Sequence, residues 1–229
     1  LPFVANGTVN EGALLTVTNT AIAVNLPGTL NYQLTVAPAG AGISSNGVIT
    51  WTPTESQGPS TQTFTTVVTN SGTPVLIATN SFLVTVREIN TAPAIVLPSG
   101  TNIMALAAWS AQASAYDSGV PANSLTFALV SGPTGLTVAA NGLISWSPSP
   151  AYGSTTNTVT ISVTDSNGAA VNATSLSATN SFAIAVGPVL TVSVVDTNRS
   201  YGLSNPQFTL SYSGFVDGDD ASVLSGFPV

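Results

Sequence analysis

Asn46-Gly47-Val48-Ile49-Thr50-Trp51-Thr52-Pro53 returns 95 residues later as Asn141-Gly142-Leu143-Ile144-Ser145-Trp146-Ser147-Pro148, and the echo decides the fold. In both places an Asn-Gly pair, which tolerates the positive φ of a tight hairpin turn, stands just before a short apolar run. A second echo lies further on. Ala78-Thr79-Asn80-Ser81-Phe82 recurs unchanged as Ala178-Thr179-Asn180-Ser181-Phe182, at an offset of 100. Self-similarity at a fixed period means a chain assembled from copies of one unit. The growth of the offset from 95 to 100 places a five-residue insertion in the second copy, within Ser166 to Ser177, in a surface loop tolerant of length change. Seams fall near Glu88 to Pro93 and near Gly187-Pro188.

Working outward from the echo, the dominant period is two, the strand signature. Leu30, Tyr32, Leu34 and Val36 alternate with Asn31, Gln33 and Thr35, and Leu125, Phe127 and Leu129 repeat the pattern. Val159, Ile161 and Val163 alternate with hydroxyl residues, while Phe82, Val84 and Val86 match Phe182, Ile184 and Val186. Each set puts one apolar face on a core and one hydroxylated face in water. Ile103 to Ala115 is alanine-rich, yet Trp109, Ala111, Ala113 and Ala115 alternate with Ser110, Gln112 and Ser114, so it too reads as a strand. Trp51 and Trp146 read most simply as core residues between two sheets, with stacking against sugar as the sharper alternative. Short strands divided by Gly, Pro, Asn and Ser clusters predict an all-β chain of tandem antiparallel β-sandwiches, at 1–90 and 91–188.

Composition removes much chemistry. The 229 residues contain no Cys and no His, and the positive inventory is Arg87 and Arg199. That excludes a Ser-His-Asp triad, a cysteine nucleophile, a zinc site of the usual ligands and any lysine Schiff base. Nothing in the spacing of the nine acids selects a catalytic carboxylate pair, so no enzyme is expected. A net charge of −7 built with two arginines argues against nucleic acid and anionic membrane surfaces. Mean hydropathy is +0.41, but the longest apolar stretch, near Ile103 to Trp109, is far short of the roughly 20 residues of a spanning helix. No basic segment followed by an apolar one opens the sequence, so a secretory signal is either removed or belongs to a longer precursor. Absence of cysteine is compatible with secretion.

At these motifs the sequence resembles the bacterial immunoglobulin-like repeats, relatives of cadherin-like domains, that occur in tandem in large surface and secreted proteins. The markers are Asn46 to Glu55 with Gln57-Gly58-Pro59, the Ala-Thr-Asn-Ser-Phe strand, and Asn90-Thr91-Ala92-Pro93 at the seam. From about Val189 the pattern changes. Ser200-Tyr201-Gly202, Asn205-Pro206 and Tyr212-Ser213-Gly214-Phe215 resemble the opening half of an MBG-type β domain, a partial module over 189–229. So short a segment is expected to pair with something outside it, or the protein continues.

The resemblance implies a non-catalytic structural segment of an extracellular or cell-surface fibre, stalk or adhesin, partnered by neighbouring copies of itself. A carbohydrate-binding or accessory module of a large secreted enzyme is the alternative, with glycans as partner. Cadherin-like seams hold calcium where carboxylates of the linker and flanking domains converge. The candidates are Glu11, Glu88, Asn90, Asp117 and Asp165, with solvated loop residues as the alternative reading. Asp217, Asp219 and Asp220 form a second acidic cluster that reads as a turn. Among three sequons, at Asn6, Asn172 and Asn198, Asn172 is the best placed for a sugar because it falls in the inserted loop.

Overall fold

The computed structural model describes residues 1–22, 28–215 and 219–225. Seven strands make up the first copy: β1 (Gly7–Asn10), β2 (Leu15–Thr18), β3 (Leu30–Val36), β4 (Gly42–Ile43), β5 (Val48–Trp51), β6 (Ser60–Asn70) and β7 (Ile77–Arg87). They form a four-stranded sheet, β1-β7-β6-β3, and a three-stranded sheet, β2-β5-β4. Alternation explains which face goes in. Along β6 the buried residues are Phe64, Thr66, Val68 and Asn70, and along β7 they are Phe82, Val84 and Val86. Between the sheets Trp51 meets Phe64 edge-on at 5.5 Å, and Phe64 stacks on Phe82 at 5.2 Å. Val9, Ile49, Val84 and Val86 complete this core.

The second copy repeats the plan with β8 (Ala94–Val96), β9 (Thr101–Ile103), β10 (Trp109–Gln112), β11 (Ser114–Tyr116), β12 (Thr126–Ser131), β13 (Thr137–Val138), β14 (Leu143–Trp146), β15 (Thr155–Thr164) and β16 (Ser177–Val186). Its sheets run β12-β15-β16-β9 and β10-β14-β13, with β11 paired to β8. Trp51 and Trp146 are 1% and 3% exposed, and each donates its indole N–H at 3.2 Å to a backbone carbonyl, of Ala39 and Thr134. That burial leaves neither ring free to stack on a sugar. The two Asn-Gly turns earn their glycines: φ is +78° at Gly47 and +86° at Gly142, and a Cβ would stand 2.7 Å from the Tyr32 ring or 2.6 Å from the Ala113 carbonyl oxygen.

Two details depart from the sequence reading. Pairing is not wholly antiparallel, because β1 runs parallel to β7 and β9 parallel to β16. Period two fixes the face of an edge strand but not its direction. Ile103 to Ala115 is not one strand either. Leu106, at φ +67°, turns the chain between β9 and β10, and Leu106 N–H bonds the Pro148 carbonyl at 2.8 Å, as Gly12 N–H bonds Pro53 in the first copy.

Beyond the second copy, β17 (Thr191–Val194) and β18 (Leu210–Ser213) pair antiparallel with Val192, Val194 and Phe208 exposed. The chain divides into two compact units. One comprises Leu1–Ala94 with Tyr116–Leu125 and Thr164–Ser177; the other holds the remainder. Two loops of the second copy therefore belong with the first unit, and the site lies where they do so.

Candidate metal centre in the first unit

Three glutamates converge at the end of the first sandwich. Glu11 follows β1, Glu55 opens a short 3-10 turn (Glu55–Gln57) after Trp51-Thr52-Pro53, and Glu88 follows β7. Their carboxylate oxygens lie within 4.8 Å of one another, with Glu11 and Glu88 buried and Glu55 half-buried. Like charges at that separation repel by about 3 kcal/mol per pair at an effective dielectric near 20. Burial pushes the Glu11 carboxyl up to about 7; the Ile89 N–H opposes this, while Glu55 and Glu88 push the same way. No basic side chain relieves the cluster, since Arg87 is exposed and the Arg199 guanidinium donates to the Leu203 carbonyl. Gly58 makes the room: a Cβ there would stand 2.1 Å from Glu11 Oε2.

Asn90, Asp117 and Asp165 gather beside this triad without joining it. Asn90 is 3% exposed, and its side-chain NH2 donates to Asp165 Oδ1 at 3.0 Å. Asn123 donates to Asn90 Oδ1 at 3.4 Å, and the Gly119 N–H donates to Asp117 Oδ1 at 2.7 Å. All five residues singled out from sequence thus stand in one unit, four of them buried and Asp117 half-buried.

One pattern unites the four acids among them. Each uses one oxygen to accept an N–H and leaves the other buried without a partner. Glu11 Oε1 accepts from Ile89 at 2.7 Å, Glu88 Oε1 from the Asn167 amide at 2.9 Å, Asp117 Oδ1 from Gly119, and Asp165 Oδ1 from Asn90 and from the Leu176 N–H at 2.6 Å. Glu11 Oε2, Glu88 Oε2, Asp117 Oδ2 and Asp165 Oδ2 are the orphans. A buried carboxylate oxygen with no donor is costly. Hard oxygen donors held this way suit calcium, which takes six to eight of them and accepts amide and backbone carbonyls among them. A hollow of about 240 Å³ opens beside Glu11, Glu55 and Ile89.

Sequence reasoning missed Glu55, Asn167 and Asn123. Glu55 was detectable, because the second copy carries Pro150 at the same place in its turn. The asparagines were not, in a chain so rich in Asn. Asn172, read as the best-placed sugar acceptor, has its amide bonded to the backbone of Asn90 at both atoms, so the side chain is already committed. In the other acidic group Asp217 lies outside the described residues, and Asp220 caps the short turn Ala221–Val223 by accepting from the Ser222 N–H; the Ser222 side chain, and then this N–H, lower its pKa.

Relatives agree with this architecture. Residues 90–187 match the family model described as "Putative Ig domain", and residues 190–228 match "MBG domain (YGX type)". The chain is similar to cadherin-like immunoglobulin repeats followed by an MBG-type segment. Among solved structures, mouse cadherin-23 EC22-24 superposes with a TM-score of 0.53 at 22% identity, covering 80% of this chain and 63% of that one. The protocadherin gammaB4 extracellular domain gives 0.50 at 19%, covering 87% and 34%. At such identity the likeness concerns the fold alone, and this chain spans less than two thirds of either. No curated protein matches the sequence.

Proposed function

We propose that this chain is a non-catalytic structural segment of an extracellular fibre, stalk or adhesin, organised as modules at 1–90, 91–188 and 189–229, whose first linker is stiffened by calcium. One observation carries the reading: four acids, each with one oxygen held by an N–H and the other buried and unpartnered, while the side chain of the neighbouring Arg87 is exposed. Glu11, Glu55 and Glu88 are the core of the site, with Asn90, Asp117 and Asp165 beside it. The ion neutralises carboxylates that otherwise repel, and ties the linker to the loops around it. Low charge also lets copies of the chain lie side by side with little Coulomb repulsion, which fits a partner that is another copy of itself.

Calorimetric titration of the intact chain with calcium tests this, alongside thermal melting with and without EDTA. Saturation at a hundred times Kd is expected to stabilise the first unit by about 2.7 kcal/mol. Absence of binding heat together with identical melting curves would remove calcium from the proposal.

A further inference from the structure

We infer that the five-residue insertion of the second copy is a latch that closes on the linker by hydrogen bonds and needs no cation to do so; the inference deepens the proposed role of this linker. Two homologous loops frame the argument. In the first copy the loop is closed by Asn70 N–H on the Leu76 carbonyl at 3.1 Å, and in the second by Asp165 N–H on the Leu176 carbonyl at 3.0 Å. Between the same closing bonds the second copy has five more residues. They do not form an idle bulge.

Val171 donates its N–H to the Glu88 carbonyl at 3.0 Å. Asn172 then bonds Asn90 twice: its Oδ1 accepts the Asn90 N–H at 2.8 Å, and its Nδ2 donates to the Asn90 carbonyl at 2.9 Å. A side-chain amide used this way imitates the facing residue of an antiparallel bridge. It supplies partners to linker residues that belong to no strand, meeting the demand that backbone polar groups be paired. The loop is itself braced, because Asn167 N–H bonds the Thr174 carbonyl at 2.9 Å, and Asn167 Oδ1 accepts the Ala169 N–H at 3.2 Å. The three bonds from Val171 and Asn172 to Glu88 and Asn90 join neutral amides and carbonyls and need no cation, while Asn167 in the same loop also donates to Glu88 Oε1 at 2.9 Å. The latch holds Glu88 and Asn90 in place before any ion arrives, which makes Asn172 a positioning residue for the proposed site.

Residue-resolved hydrogen exchange on the full chain in EDTA tests it. The Asn90 and Val171 amides are expected to be protected without metal, and Asn172→Ala to speed Asn90 exchange by roughly tenfold while Phe64 and Val159 in the two cores keep their protection. Asn172→Asp, which keeps the acceptor and loses the donor, is expected to retain part of the Asn90 protection. Loss of core protection in Asn172→Ala would transfer the decision to Asn172→Asp. Asn90 exchanging at a free-peptide rate until calcium is added overturns the latch while leaving the calcium proposal standing. Protection in EDTA with no calcium binding keeps the latch and removes the calcium.

Discussion

The two ends of the tandem pair are built on one plan and finished in opposite chemistry. At the end of the first copy stand Glu11, Glu55 and Glu88; at the matching places of the second stand Ala105, Pro150 and Pro188. The correspondence is structural. Gly12 and Leu106 make the same bond to Pro53 and Pro148, and the turns beginning at Glu55 and Pro150 close alike through Gly58 and Gly153. Where the first end gathers three glutamates, the second has Met104, Pro188, Leu190, Phe215 and Leu224 lining a mainly apolar hollow of about 320 Å³ that a single acid, Asp219, also borders. The two ends thus differ at three matching positions, acidic in the first copy and uncharged in the second.

Exchanging the deciding residues gives the largest expected effect. Glu88→Gln removes a buried carboxylate of the proposed site and should weaken calcium binding by at least roughly a hundredfold, read by titration calorimetry. In EDTA the same variant should be as stable as the parent or more so, because one repelling charge is gone. The reciprocal change Pro188→Glu should gain no calcium binding, since Ala105 and Pro150 offer it no carboxylate and a pair with Asp219 falls short of the triad. Binding by Pro188→Glu would break the claim that the triad is the unit of the site.

The pH dependence of the metal-free chain separates the ends next. Glu11 has a pKa of about 7 when folded against 4.5 in its ordinary state, so between these values the folded chain holds more protons than the unfolded one. Stability then falls as pH rises from about 4.5 through 7 and levels off above, with an upper bound of about 3 kcal/mol. Melting in EDTA should be higher at pH 5 than at pH 8, and Glu11→Gln should flatten the difference. The second end, with Ala105 in that place, has no such group to contribute. An unchanged pH profile in Glu11→Gln would separate the effect from Glu11.

How much of this could be read beforehand depended on rarity. Nine acids in 229 residues stand out, and an acid at a strand end or loop invites attention; Glu11, Glu88, Asp117 and Asp165 were legible for that reason, and Asn90 through its place in the linker. Fold class was legible from the echo, because one repeated Trp-containing strand and its Asn-Gly turn fix both the unit and its period. Direction of β1 and β9 was not, since alternation is blind to it. The inserted loop was located to within a few residues but read as tolerant of change. Only pairing across many residues, Val171 with Glu88 and Asn172 with Asn90, reveals its task.

The smallest test is the most selective, because it changes one methyl group at each end. Gly58 and Gly153 close equivalent turns, with φ of −107° and −54° that alanine also adopts, so backbone strain does not enter. Surroundings differ instead. A Cβ at Gly58 would stand 2.1 Å from Glu11 Oε2 and 3.3 Å from Val86 Cγ1, whereas at Gly153 its nearest neighbours are the Pro150 carbonyl oxygen at 3.2 Å and Val189 at 3.5 Å. Gly58→Ala must displace the Glu11 carboxylate, which is expected to cost about 1–3 kcal/mol and to weaken calcium binding with it. Gly153→Ala needs a shift of a few tenths of an ångström and should stay within about 0.5 kcal/mol of the parent. Chemical denaturation of both variants, with and without calcium, measures the difference. Equal losses would mean that the space beside Glu11 is not reserved for its carboxylate, and the contrast between the two ends would then rest on charge alone.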